Sequence, residues 1–95
     1  MAREKFRRAV AIFAHNEGNN IVRCLESISK AMADGDECVV LNNGSSDNTG
    51  ALVEEFIARN GFGRLVTIKV GDKANAWNVF VHDVRVVADV FVFLD

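Results

Sequence analysis

Short blocks of consecutive apolar residues alternate with longer stretches whose apolar positions recur every three or four residues. Ala9 to Ala14 is the first block, closed by polar His15-Asn16-Glu17-Gly18. A run this short and this apolar suits a strand buried on both faces. From Asn20 the pattern changes: Ile21, Leu25, Ile28 and Met32 recur at helical spacing with Arg23, Glu26 and Lys30 between them, which predicts an amphipathic helix. Asp34-Gly35-Asp36 ends it. Glu37 to Leu41 is the second predicted strand, and Asn42 to Asp47 a polar loop whose Ser and Asp residues suit a helix start. Leu52, Val53, Phe56 and Ile57 mark the second helix, closed by Asn60-Gly61, both tolerant of a left-handed cap. Leu65 to Val70 alternates as a third strand, and Gly71-Asp72 is a turn with Asp72 as a cap. Trp77, Phe80, Val81 and Val84 give a third helix its apolar face, and Val90 to Leu94 is a fourth strand.

The order is β-α-β-α-β-α-β, with strand starts about 25 to 28 residues apart, the length of one strand plus one crossover helix. The expected fold is therefore α/β, a Rossmann-like parallel sheet with flanking helices, in a single domain over residues 1–95. In such a sheet the polar segments after each strand gather at one edge. Ligands of open α/β sheets bind there, where strand order reverses. The residues at that edge are chemically mixed: His15-Asn16-Glu17 after the first strand, Asn42 to Asp47 after the second, Gly71-Asp72-Lys73 after the third, and Asp95 at the end of the fourth.

Composition narrows the partners. The net charge is −2, which speaks against nucleic acid as a partner, since such proteins carry a basic face. The one basic cluster, Arg3, Lys5, Arg7 and Arg8, is expected to be a solvated leader before the first strand. Neither a secretory signal nor a membrane segment is legible, because no apolar run approaches the roughly 18 residues needed. A cytoplasmic setting is expected, with Cys24 on a helix face and Cys38 in a strand as reduced packing residues. Trp77 is expected in the core, His82 and Asp83 on the solvated face of the third helix, and Asp47 as a helix cap. A dinucleotide fingerprint and a P-loop are both missing, so a bound nucleotide must be held by other means.

These segments resemble, in order, the motifs of family 2 glycosyltransferases of the GT-A fold. Phe13-Ala14-His15-Asn16-Glu17 stands where the family has a Pro-x-Tyr-Asn-Glu-like strand end. Leu41-Asn42-Asn43-Gly44-Ser45-Ser46-Asp47-Asn48-Thr49 stands for Val-Asp-Asp-Gly-Ser-x-Asp-x-Thr. Gly71-Asp72-Lys73-Ala74-Asn75-Ala76-Trp77-Asn78 is similar to Gly-Lys-Ala-x-Ala-x-Asn with one inserted Asp. Asp95 matches the first Asp of the metal-binding Asp-x-Asp, which implies that this chain is the N-terminal part of a larger domain. The resemblance implies a donor-binding half for a nucleotide sugar, UDP- or GDP-linked, with a divalent cation, Mn or Mg. It implies His15 as the ring near the base, Glu17 and Asn43 as base contacts, and Lys73 at the base or diphosphate. Ala14, Asn16, Asn42 and Ser45 complete the nucleotide-binding set, and Asp95 meets the ribose or the metal. No catalytic residue is implied here, so the chain alone is expected to be inactive. Asn42 and Asn43 replace two carboxylates of the pattern, which leaves the choice of nucleoside open.

A non-catalytic nucleotide-binding module is the alternative, and a receiver-like signalling module is a weaker one, lacking the clustered acids such modules use. The fourth strand is expected to present an unpaired edge and so to favour self-association.

Overall fold

A computed structural model describes residues 5–68, 73–84 and 87–94. The elements are β1 (Lys5–Ala14), α1 (Ile21–Ala31), β2 (Asp36–Asn43), α2 (Thr49–Asn60), β3 (Arg64–Ile68), α3 (Lys73–Asn78), a π-helical turn over Val79–Val84, and β4 (Val87–Leu94). The strands form one sheet in the order β3-β2-β1-β4, each pair parallel. This is the expected Rossmann-like α/β arrangement. The order reverses between β1 and β4, which places the ligand crevice of such a sheet beside the β1–α1 loop.

The sheet carries a core on each face. Ile12, Ala14, Cys38 and Val40 pack against Ile21 and Leu25 of α1 and Val53 and Phe56 of α2. Ala11, Val39, Leu41 and Ile68 pack against Ala76 of α3 and Phe80 of the π-turn. Strand alternation sends successive β2 residues to opposite cores. That is why Cys38 to Leu41 is continuously apolar and at most 1% exposed. Cys24 and Cys38 are free thiols, and burial pushes Cys38 up to about 12, which keeps it protonated and inert. Gly61 closes α2 in the left-handed conformation, as expected, with its N–H bonded to the Ile57 carbonyl at 2.8 Å. Among the described residues no helix is long and apolar enough to cross a membrane.

Three expectations are corrected. Three of the four basic residues are not a leader: Lys5, Arg7 and Arg8 lie within β1, while Arg3 lies outside the described residues. Arg8 stands opposite Asp36 in the strand register, and its Nη2 lies 2.6 Å from the Asp36 carboxylate, which gives the strand a charge partner beyond its apolar run. Asp36 also accepts the Ala33 N–H at 2.9 Å and so ties the α1–β2 turn to the strand start. Second, Asn42 and Asn43 are strand, not loop, because the β1 ladder reaches Asn42 and the β3 ladder continues through both. Third, Trp77 is not core: it is 45% exposed, as is Val81 at 43%, while Phe80 is buried. The buried pair here is Ala76 and Phe80, four residues apart, so Trp77 and Val81, each one residue further on, fall beside that face; the side chain of Val84 lies outside the described residues. Trp77 instead lies beside Phe93, ring centroids 4.7 Å apart, and Phe13 at 6.3 Å.

Other boundaries shift less. Met32 leaves α1 as an extended cap residue but still packs on the first core. β4 begins at Val87 because its ladder with β1 starts there. It lies at a sheet edge, with Val90 to Leu94 between 37% and 51% exposed. The turn at Gly71-Asp72, the end of the third strand at 69–70, and the side chains of His82 and Asp83 lie outside the described residues.

The Asp36 latch has a pH signature. The Arg8 guanidinium, then the Ala33 amide, hold the Asp36 carboxyl down at about 2. An unperturbed aspartate titrates near about 4. The contribution is therefore complete above about pH 4 and disappears as pH falls toward about 2. Urea midpoints of the wild type and Asp36→Asn should differ by a constant amount near neutrality and converge below that window. A gap that persists unchanged to the acid end would remove the ion pair as its cause.

Candidate functional site

β1 and β2 end side by side, Ala14 opposite Asn42, so the loops that follow them meet. They meet through a set of hydrogen bonds that crosses between the loops. The His15 Nδ1–H donates to the Asn43 carbonyl at 2.7 Å, which fixes the neutral tautomer, since a carbonyl only accepts. The Asn16 N–H donates to Ser45 Oγ at 3.0 Å, and the Asn16 Oδ1 accepts from the Ser46 N–H at 2.8 Å and the Asp47 N–H at 3.3 Å. The Glu17 N–H donates to Thr49 Oγ1 at 2.9 Å and the Gly18 N–H to Asp47 Oδ2 at 3.0 Å.

Asp47 is the hub on the β2 side. Its Oδ1 accepts the Thr49 N–H at 3.0 Å and the Thr49 hydroxyl, while Oδ2 reaches Gly18. The hydroxyl bond, which outweighs the opposing desolvation, holds the Asp47 carboxyl below the usual range, with the Thr49 and Gly18 amides adding to it. Asp47 thus does part of the capping expected of it, although the residue at the N-cap position is Asn48, which makes no side-chain cap bond. The N–H groups of Ser46, Asp47 and Thr49 are all engaged internally. This loop therefore does not offer those amides to a phosphate in the manner of an open helix start.

The two asparagines at the end of β2 part company. By strand alternation Asn42 lies on the α1–α2 face with Val40, and Asn43 on the α3 face with Leu41. Asn42 is packed so close to α2 that a Cβ on Gly50 would sit 2.7 Å from its Nδ2. Both are buried, and among the described residues neither Oδ1 has a hydrogen-bond partner. An unpaired buried carboxamide oxygen is costly unless a ligand or water completes it.

The expected site residues thus divide. His15, Asn16, Asn43 and Ser45 come together where the two loops meet, with Ala14 as the last residue of β1 and Glu17 held by its backbone. Asn42 turns to the opposite face. Lys73 opens α3, but its side chain and the whole of Asp95 lie outside the described residues. The Glu17 side chain is exposed and borders a small cavity of about 190 Å³ between β1 and α1, beside Asn20 and Cys24. Among the described residues no three His, Cys, Asp or Glu side chains are grouped to hold a metal ion. A groove of about 420 Å³ runs between α1 and α2, where Glu26, Lys30, Glu55 and Arg59 mix both charges. It is the solvated seam of two packed helices and carries none of the strand-end chemistry.

Sequence reasoning missed Thr49 and Gly18 as parts of this assembly. Thr49 is completely buried yet polar, at the first position of α2, and its spacing of two from Asp47 was the available signal.

Comparison with known proteins gives one result. A family model described as glycosyl transferase family 2 matches residues 9–95, nearly the whole chain. No curated protein and no solved structure matches it.

Proposed function

This chain belongs to glycosyl transferase family 2, and we propose that it supplies the donor-binding part of an enzyme that moves a sugar from a nucleoside-diphosphate sugar to an acceptor. The observation that carries this reading is the junction of the β1–α1 and β2–α2 loops at the carboxyl edge of the sheet. There the His15 ring lies against the Asn43 carbonyl, and the buried Asn43 Oδ1 lacks a partner among the described residues. A carboxamide both accepts and donates, so it matches a base edge that carries an N–H beside a C=O, as uracil and guanine do. The imidazole offers a flat face to such a base. The amides of the β2–α2 loop are already spent on Asn16 and Asp47, which favours the nucleoside over the diphosphate as the part lying on these loops.

The family's members use a divalent cation, which neutralises the diphosphate leaving group when bound. The described residues do not assemble a site for it. Lys73 at the start of α3 is the proposed contact with the base or diphosphate, and Asp95 the proposed contact with the ribose or the cation. No residue of this chain is assigned as catalytic base.

Titration calorimetry with UDP and with GDP, each with and without Mn²⁺, tests the proposal. One of the two is expected to bind, and Asn43→Ala is expected to weaken it by roughly tenfold, the loss of one buried hydrogen-bonding group. Absence of binding to both nucleotides under all four conditions would leave only the fold.

A further inference from the structure

The Asn16 carboxamide is engaged at both ends. Its Oδ1 accepts from Ser46 and Asp47, and its Nδ2 lies 3.4 Å from His15 Nε2. The neighbours dictate this orientation. Backbone N–H groups only donate, so the oxygen must face them. The His15 Nδ1–H is committed to the Asn43 carbonyl, so Nε2 of the neutral ring is an acceptor and wants a donor. The backbone also favours this residue type: Asn16 has φ 51°, the one positive value at a non-glycine position among the described residues. Asparagine enters that region more readily than most side chains. One side chain thus joins the ring, the β2–α2 loop and, through the ring, the end of β2.

We propose that Asn16 is a positioning residue: it holds the His15 ring and the β2–α2 loop as one preformed surface for the donor, and it does not itself contact the donor. This revises the direct nucleotide contact that the resemblance implied, and it rests on the nucleotide-sugar reading above. The physical ground is preorganisation. A ring and a loop fixed before binding lose less freedom when the ligand arrives. The Asn16 Oδ1 is spent on the β2–α2 loop and one Nδ2 hydrogen faces the ring, so a single N–H is all the carboxamide has left for a ligand.

Asn16→Gly keeps the left-handed backbone and removes the carboxamide. It should bind the nucleotide preferred by the wild type, UDP or GDP, at least about tenfold more weakly with an unchanged thermal midpoint. Amide hydrogen exchange at Ser46 and Asp47 should quicken while β1 and β2 stay protected. Asn16→Asp keeps the acceptor toward Ser46 but loses the donor to His15, and its affinity should fall between the two. Asn16→Gly binding as tightly as the wild type would overturn the positioning role and leave the nucleotide reading intact. An affinity loss that tracks a fall in thermal midpoint and in strand protection would also overturn it, in favour of a purely structural role. A wild type that binds neither nucleotide removes the reading and this inference together.

Discussion

Replacing Leu41 with alanine is expected to cost the fold about 3 to 5 kcal/mol, the range for truncating a fully buried leucine whose surroundings cannot close over the gap. Leu41 is 0% exposed. It sits in β2, between Phe13 of β1 and Val66 of β3 in the strand register, and beneath Ala76 and Phe80. Strands on both sides are held by their ladders, so the backbone has little freedom to collapse inward. Such a loss is a large part of the about 5 to 15 kcal/mol that stabilises a domain. The urea midpoint should fall at constant m-value. Val92→Thr, on the exposed part of β4, should change stability by less than about 0.5 kcal/mol. A Leu41→Ala cost below about 1 kcal/mol would mean that the α3 face repacks freely. Leu41 shares its face with Asn43 two residues on, so the same variant should also loosen the crevice and weaken nucleotide binding.

Thr49→Val should act on the loops more than on the core. Valine keeps the shape of a side chain that is 0% exposed but deletes the hydroxyl. The Glu17 N–H then loses its acceptor at 2.9 Å, a loss expected to cost about 1 to 3 kcal/mol if water does not reach it. Asp47 loses the hydroxyl bond that does most to keep its carboxyl low, so that carboxyl should rise toward the ordinary range. Thr49→Ser keeps the hydroxyl and should behave nearly as the wild type. The measurement is paired: a denaturation curve for the cost, and a carboxyl titration by NMR for Asp47. An unshifted Asp47 in the valine variant would show that the hydroxyl contact is not made in solution.

The fold was legible because its code is redundant. Cys38 to Leu41 is apolar on both faces, as only a strand between two helical layers requires, and the α1 stripe of Ile21, Leu25 and Ile28 has a single helical solution. The errors fall where a tertiary partner outvoted the local pattern. Arg7 and Arg8 look like a solvated leader until Asp36 is placed opposite Arg8 by the register. Trp77 looks like core because its spacing to Phe80 is helical, but the buried face runs through Ala76 and Phe80, and Trp77 stands one residue off it. The site was legible in outline, since every loop after a parallel strand reaches the same edge. The division of labour within it was not. Adjacent letters Asn42 and Asn43 suggest a pair, but alternation separates them, and the tie of Asp47 and Thr49 to the first loop spans about 30 residues of sequence.

Trp77 is the single tryptophan of the chain, and it lies outside both buried cores, against Phe93 of β4 and Phe13 of β1. Its fluorescence therefore reports on one seam, where α3 meets the last strand, and is blind to the packing of α1 and α2 on the far side of the sheet. Emission and far-ultraviolet circular dichroism followed through the same unfolding thus watch two different parts of the molecule. Their superposition or separation says whether that edge comes away before the body of the sheet, without any label being added.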